Sequence, residues 1–210
     1  MGGLFDINSK FMQFLYKAAD LILLNVLTLL CCIPIVTIGP AFAAMHYVLL
    51  RIYRNEESGL LRNFFHSFVG NLKQGIVLTV GYILYFLLLI LDYQLASRTE
   101  NGLLRVVLYA VPFLALIGGL SLSWVFALLS RYNNTVWGTV KTTFAACVAH
   151  PIRSLAMMAL TILPYLLLAL SPAMVPVFLL FAVSLSAFLR VMLYDPVFKK
   201  LETPKEEKAD

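Results

Sequence analysis

The sequence predicts an all-α, polytopic membrane bundle of about five transmembrane helices, with amphipathic helices lying at the membrane interface. Of its 210 residues, 61% are hydrophobic and only 13% are charged, about half the charged fraction of a soluble domain. Several uncharged stretches are long enough to cross a hydrocarbon core of about 30 Å. The basic residues fall in the short gaps between these stretches, a pattern that indicates membrane topology rather than nucleic-acid binding.

The amino-terminal segment Leu4–Leu15 mixes apolar and polar residues, which predicts a short interfacial helix leading into the first span. The triplet Ala41-Phe42-Ala43 behind an apolar stretch also resembles a signal-peptide cleavage site. Asp6, Asp20 and the excessive length of the apolar region argue against cleavage.

The first uncharged stretch, Leu21–Leu50, would measure about 45 Å as one straight helix, which is too long for a single crossing. It contains a break formed by Pro34, Thr37, Gly39 and Pro40. We therefore predict a first span over Phe14–Val36, with Gly39 in a left-handed or closely packed turn and Pro40 at the first position of a new helix. That helix, Ala41–Arg54, reaches only about 21 Å, so we place it under the bundle or half-buried near its surface.

An amphipathic helix is predicted over Leu60–Gln74, and Phe65 belongs to its apolar stripe. The uncharged residues between Lys73 and Asp92 predict a second span, and those between Arg105 and Arg131 predict a third. Small residues recur every four positions in the third span, which favours close approach of a neighbouring helix. They are Gly119, Ser123 and Ala127.

A second amphipathic candidate covers Val136–Val148. The uncharged interval between Arg153 and Arg190 is then divided by Ser171–Pro176, which predicts a hairpin of a fourth and a fifth span. The order interfacial helix, span, loop, span thus occurs twice, as a weak parallel repeat. We assign residues 1–198 to one membrane domain and residues 199–210 to a mobile polar tail.

Basic residues predict the orientation of the bundle. With five spans and a cytoplasmic carboxyl terminus, twelve Lys and Arg residues lie inside and four outside, namely Lys10, Lys17, Arg98 and Arg105. A sixth crossing by Ala41–Arg54 would improve the ratio to fourteen against two. We retain five spans, because a crossing needs about 20 apolar residues.

No catalytic, cofactor-binding or metal-binding residues emerge from the sequence. His46, His66 and His150 lie on separate segments without metal-ligand spacing. The three cysteines fit buried hydrophobic positions, and we expect no buried charge of the kind that couples ions to transport. The pattern therefore predicts a non-enzymatic protein.

Asn25, the run Ile33-Pro34-Ile-Val-Thr37-Ile-Gly39-Pro40-Ala and the later run Phe64-Phe65-x-x-Phe68-x-x-Asn71-x-Lys73-Gln74 resemble the YesL-like family of bacterial multi-pass membrane proteins, a domain of unknown function. The resemblance implies a bacterial cell-membrane location and an accessory or regulatory role in carbohydrate uptake. The partners would be the lipid bilayer and either another protein of a sugar-uptake system or a second copy of this chain. The alternative is a small-solute transporter, either monomeric or homo-oligomeric.

Overall fold

A computed structural model describes residues 10–56, 59–98, 102–132 and 135–202, and all regular structure within them is helical. The α-helices are α1 (Lys10–Cys31), α2 (Ile38–Tyr53), α3 (Leu60–Gly70), α4 (Leu72–Ser97), α5 (Gly102–Arg131), α6 (Val136–Ala149), α7 (Pro151–Leu170), α8 (Val175–Val177) and α9 (Val183–Glu202). Turns of 3₁₀ helix cover Ile35–Thr37 and Pro172–Met174, and a π-helical segment, Phe178–Ala182, connects α8 to α9. The predicted all-α polytopic membrane bundle is confirmed.

Five segments of the described chain are long and apolar enough to cross a membrane: Ile35–Tyr53, Leu72–Ser97, Leu108–Arg131, Pro151–Leu170 and Val175–Lys200. Their number agrees with the prediction, but the first of them does not. The helix after the break was expected to be too short to cross, whereas α2 and its preceding 3₁₀ turn together contain 19 residues. Helix α1, with 22 residues, also has the length of a spanning helix.

Helix α2 lies at the centre of the bundle, where it contacts α1, α3, α4, α5 and α9. Met45 and Leu49 are completely buried, and so are Ala41, Ala43 and Ala44. The expectation that this helix lies under the bundle or near its surface is therefore wrong. Its alanines explain the difference, because small side chains let several neighbouring helices approach one backbone closely.

The predicted break is present, with different boundaries. Helix α1 ends at Cys31 rather than Val36, and the Thr37 hydroxyl donates hydrogen bonds to the carbonyls of Cys31 (2.6 Å) and Pro34 (2.7 Å). Helix α2 begins at Ile38, so Pro40 occupies its third position rather than its first. Its missing N–H still costs nothing, because the first four N–H groups of a helix have no intrahelical acceptor.

Gly39 is closely packed and helical, which selects one of the two predicted alternatives. Its N–H donates to Thr79 Oγ1 of α4 at 2.9 Å. A Cβ atom added at Gly39 would lie 2.6 Å from the carbonyl oxygen of Gly75 and would also collide with Thr79 and Phe126. The absence of a side chain therefore allows α2 to pack against α4 and α5.

Helices α1 and α2 form a hairpin whose open end lies beside the carboxyl-terminal part of α9. Lys17 Nζ donates to Asn55 Oδ1 at 3.2 Å, and Arg54 Nε lies 2.7 Å from Asp195 Oδ1. Lys199 Nζ is 3.0 Å from the other oxygen of the same carboxylate. The five-span topology separated Lys17 from Arg54 by the membrane, and this geometry contradicts that separation.

The two predicted amphipathic segments are α3 and α6, and the order α3–α4–α5 followed by α6–α7–α9 matches the predicted repeat of elements. In α3, Phe64 is fully buried whereas Phe65 is 47% exposed. The apolar stripe is thus divided between protein contact and an outward face. Residues 4–9 of the predicted amino-terminal helix lie outside the described residues, and from Lys10 the chain belongs to α1. Residues 203–210 of the predicted polar tail also lie outside the described residues.

Candidate membrane-embedded binding cavity

A cavity of about 550 Å³ lies between α2, α4, α5, α7 and α9, within the size range of small-molecule sites. Its walls are mainly apolar. The lining residues are Ile38, Phe42, Thr79, Tyr82, Ile83, Phe86, Leu87, Ile90, Leu122, Phe126, Thr161, Tyr165 and Arg190. None of them is acidic.

Arg190 brings a cation to this cavity from α9. Its side chain is only 4% exposed, and Nη1 donates a hydrogen bond to Thr161 Oγ1 at 3.0 Å. Nε is buried without a hydrogen-bond partner, and Arg190 forms no ion pair with any residue that the structure describes. The carboxylate of Asp195, five residues further along α9, is engaged by Arg54 and Lys199.

The count of basic residues placed Arg190 on the cytoplasmic side, at the end of the fifth span, and this placement is wrong because Arg190 is buried inside the bundle. It lies within the apolar segment Val175–Lys200, ten residues before its end, or about 15 Å along the helix. One signal in the sequence could have shown this. The apolar run Val191–Tyr194 follows Arg190 directly, which indicates that the helix continues past the charge.

His46 and Tyr194 form a buried polar contact in the core. His46 Nδ1 lies 3.2 Å from the Tyr194 hydroxyl, and both side chains are at most 1% exposed. Their rings pack edge to face with centroids 5.7 Å apart. These contacts pack α2 against α9. Within the described residues, His, Cys, Asp and Glu form no group that could hold a metal ion.

Asn25 forms the second polar contact, here called the Asn25 junction, with the π-helical segment and α9. Its Nδ2 donates to the carbonyls of Phe178 (3.0 Å) and Leu179 (2.8 Å), and its Oδ1 accepts from the Ser184 N–H (2.8 Å). The Ser184 hydroxyl in turn donates to Leu21 O at 2.8 Å. A π-helical segment disturbs the regular α-helical hydrogen bonds, and Asn25 supplies partners to backbone groups around it.

The residues singled out from the sequence are not brought together in one site. Gly119 faces α7, where an added Cβ would lie 3.1 Å from Met158 Sδ. Ser123 is buried and donates to Leu120 O in its own helix. At the helix break, Ile38 lines the cavity, whereas the neighbouring structural candidates that we predicted do not. Those candidates are Pro34, Thr37, Gly39 and Pro40.

A family model described as "Protein of unknown function, DUF624" matches residues 21–93. This part of the chain is thus similar to that family, and it contains the Asn25 side of the junction, the helix break, α2 and α3. No curated protein and no solved structure matches the chain. The matched range ends before Arg190, so the cavity combines helices from inside and outside it.

Proposed function

We propose that this chain is a non-enzymatic integral membrane protein that acts by binding, as an accessory or regulatory component of another membrane system. The observation that carries the proposal is the cavity around Arg190. It offers a buried cation in an apolar enclosure of ligand size without a carboxylate or histidine to act as acid or base. Such a lining suits recognition of a ligand better than its chemical conversion.

An association with carbohydrate uptake follows from the YesL-like resemblance. The similarity of residues 21–93 to a family of unknown function agrees with the expected domain of unknown function. The YesL-like name and the role in uptake come from the resemblance alone. The cavity itself suits a sugar poorly, because burying several hydroxyls against apolar walls leaves hydrogen bonds unmade. The role in uptake is therefore assistance to an importer rather than passage of the sugar through this chain.

We place the protein in the bacterial cell membrane with its carboxyl terminus in the cytoplasm. The contact of Lys17 with Asn55 favours α1 and α2 as two crossings, and this arrangement places thirteen basic residues inside and two outside when the buried Arg190 is not counted. Both termini then lie in the cytoplasm. Single cysteines introduced at Ser9 and Asp210 should react with an impermeant maleimide from the same side, and labelling from opposite sides would contradict this topology.

The native cysteines must be replaced in that experiment. Burial raises the pKa of the Cys147 thiol in α6, opposed by its hydrogen bond with Ser154. The thiolate, the reactive species, is therefore scarce at neutral pH, but slow labelling would still add background. A cysteine-free chain serves as the control.

The accessory role is tested by deleting the gene in the source organism and measuring uptake of radiolabelled sugars. Uptake of at least one sugar should fall, and the wild-type chain should restore it. Purified protein in liposomes should give no flux of that sugar. Normal uptake of every sugar in the deletion strain would contradict the proposal.

A small-solute carrier is the second candidate function. The observation that favours it is the helix break between α1 and α2, which adjoins the cavity through Ile38, because carriers often form their substrate sites at discontinuous helices. Flux of a solute through liposomes that contain only this protein would establish the carrier and displace the accessory role.

A further inference from the structure

The polar groups that line the Arg190 cavity differ in how completely they are used by the protein. The Thr79 hydroxyl donates to Gly75 O at 2.7 Å and accepts from the Gly39 N–H. The Tyr82 hydroxyl is hydrogen-bonded to Ser121. The Arg190 guanidinium, by contrast, donates to Thr161 among the described residues, and its Nε has no acceptor there. The unmet requirement of the cavity is therefore an acceptor with negative charge.

The cavity reaches the outer surface of the bundle along α4. Ile83, Leu87 and Ile90 line it and are each between 43% and 54% exposed. These residues lie in the apolar segment Leu72–Ser97, so the exposed wall faces hydrocarbon when the helix spans a membrane. A ligand that dissolves in the bilayer can therefore enter sideways, without crossing water.

We infer that this cavity binds an anionic amphiphile, with an oxyanion head against Arg190 and one acyl chain along the apolar wall between α4 and α5. The head supplies the missing acceptor, and the chain fills space that water would occupy at a cost. This inference rests on the proposed binding function and names the ligand class of the same site.

The direct test titrates oleate into the delipidated, detergent-purified protein and measures occupancy by native mass spectrometry. Oleyl alcohol, which has the same chain and no charge, is the matched probe. Oleate should bind about tenfold or more tightly than the alcohol, because only the carboxylate adds a negative charge to the hydrogen bond that it accepts from Arg190. Equal affinities of the two probes would overturn the inference.

Substitutions at Arg190 separate charge from shape. Arg190→Gln should reduce oleate affinity to that of the alcohol, and Arg190→Lys should restore part of the difference. The control is Arg62→Gln, at an exposed arginine of α3, which should bind oleate as the wild type does. Oleate binding by Arg190→Gln at wild-type affinity would overturn the inference, and so would an equal loss in Arg62→Gln.

A second pair of variants does not depend on how Arg190 substitutions fold. Leu87→Trp adds bulk at the exposed wall of the cavity, whereas Leu88→Trp adds it at a neighbouring position that is 60% exposed and does not line the cavity. Only Leu87→Trp should weaken oleate binding. Equal affinities in the two variants would contradict the assigned site.

Competition identifies the source of the head group. Oleate and 1-oleoyl lysophosphatidic acid carry a carboxylate and a phosphate on the same acyl chain. Displacement of either bound lipid by the other supports the inference. Acetate or inorganic phosphate should not compete at equal concentration, and competition by them would reduce the site to an anion site. Loss of sugar uptake on gene deletion without oleate binding would reject this ligand class and leave the accessory role intact.

Discussion

The Asn25 junction and the Arg190 cavity both bury a polar side chain beside the last helical segment. They differ in whether the protein itself satisfies the hydrogen bonds of that side chain. Asn25 is fully buried, and its amide makes three hydrogen bonds of 2.8 to 3.0 Å. Arg190 is almost as buried but has an unpartnered Nε. A polar group whose hydrogen bonds are met by the protein holds the fold together, whereas one left short of an acceptor indicates a place for a ligand.

Energetic magnitudes support this contrast. A hydrogen bond between membrane helices contributes about 0.6 kcal/mol on average and up to about 1.7 kcal/mol. A cation at the centre of a membrane helix costs about 2.5 to 3.5 kcal/mol on insertion scales. The hydrogen bond from Arg190 to Thr161 does not offset that cost, so the ligand-free fold carries a local destabilisation that the Asn25 junction does not.

The largest effect is expected at another fully packed contact, that of α2 with α4 at Gly39. Gly39→Leu should destabilise the fold by about 3 kcal/mol or more, because overpacking here meets backbone as well as side chains. Detergent-resistant monomer on fluorescence-detected gel filtration is the readout. The control is Gly81→Leu, since a Cβ at Gly81 meets no atom within 4 Å. Equal yields would show that the close contact at Gly39 is not required.

Removing the amide of Asn25 should have the next largest effect. Asn25→Leu leaves two carbonyls and one N–H without these partners, and we expect a loss of about 1 to 3 kcal/mol in thermal unfolding. Thr28→Val is the matched control, because the Thr28 hydroxyl is also buried but bonds only to Leu24 O in its own helix. Similar stabilities of the two variants would show that the junction contributes little.

Ser184→Ala sharpens the same comparison with a smaller change. It removes the hydroxyl that donates to Leu21 O but leaves the Ser184 N–H on Asn25. The expected loss is about 0.6 kcal/mol, below that of Asn25→Leu. A larger loss from Ser184→Ala in the same unfolding assay would assign the strength of the junction to the hydroxyl instead.

The fold class could be predicted from the sequence, because composition and the lengths of uncharged stretches determine how many helices can cross. The existence of a helix end before Gly39 could also be predicted, although not its exact residue. Close packing of Gly39 was one of the two predicted alternatives. The central position of α2 could not, since its alanines give no indication of which helices pack against it. From hydrophobicity and length alone, Ala41–Arg54 is predicted to be a short peripheral helix.

The cavity was missed for a related reason. In the sequence, Arg190 bounds an uncharged interval as any other basic residue does, and its burial depends on Thr161 and Tyr165 of another helix. Asn25 was noticed only as part of a motif. Its hydrogen bonds with residues more than 150 positions away depend on the π-helical segment, which leaves no clear pattern in the sequence.

The most direct test of the central claim compares thermal unfolding of the wild type and Arg190→Met, each with and without oleate. Methionine leaves the bond from Thr161 Oγ1 to Met157 O in place and removes the buried charge. The ligand-free variant should unfold at a higher temperature than the wild type. Oleate at about 100 times its Kd for the wild type should stabilise the wild type by about 2.7 kcal/mol and the variant, whose affinity is about tenfold or more weaker, by about 1.4 kcal/mol or less. A less stable ligand-free variant, with equal stabilisation of both proteins by oleate, would contradict the account.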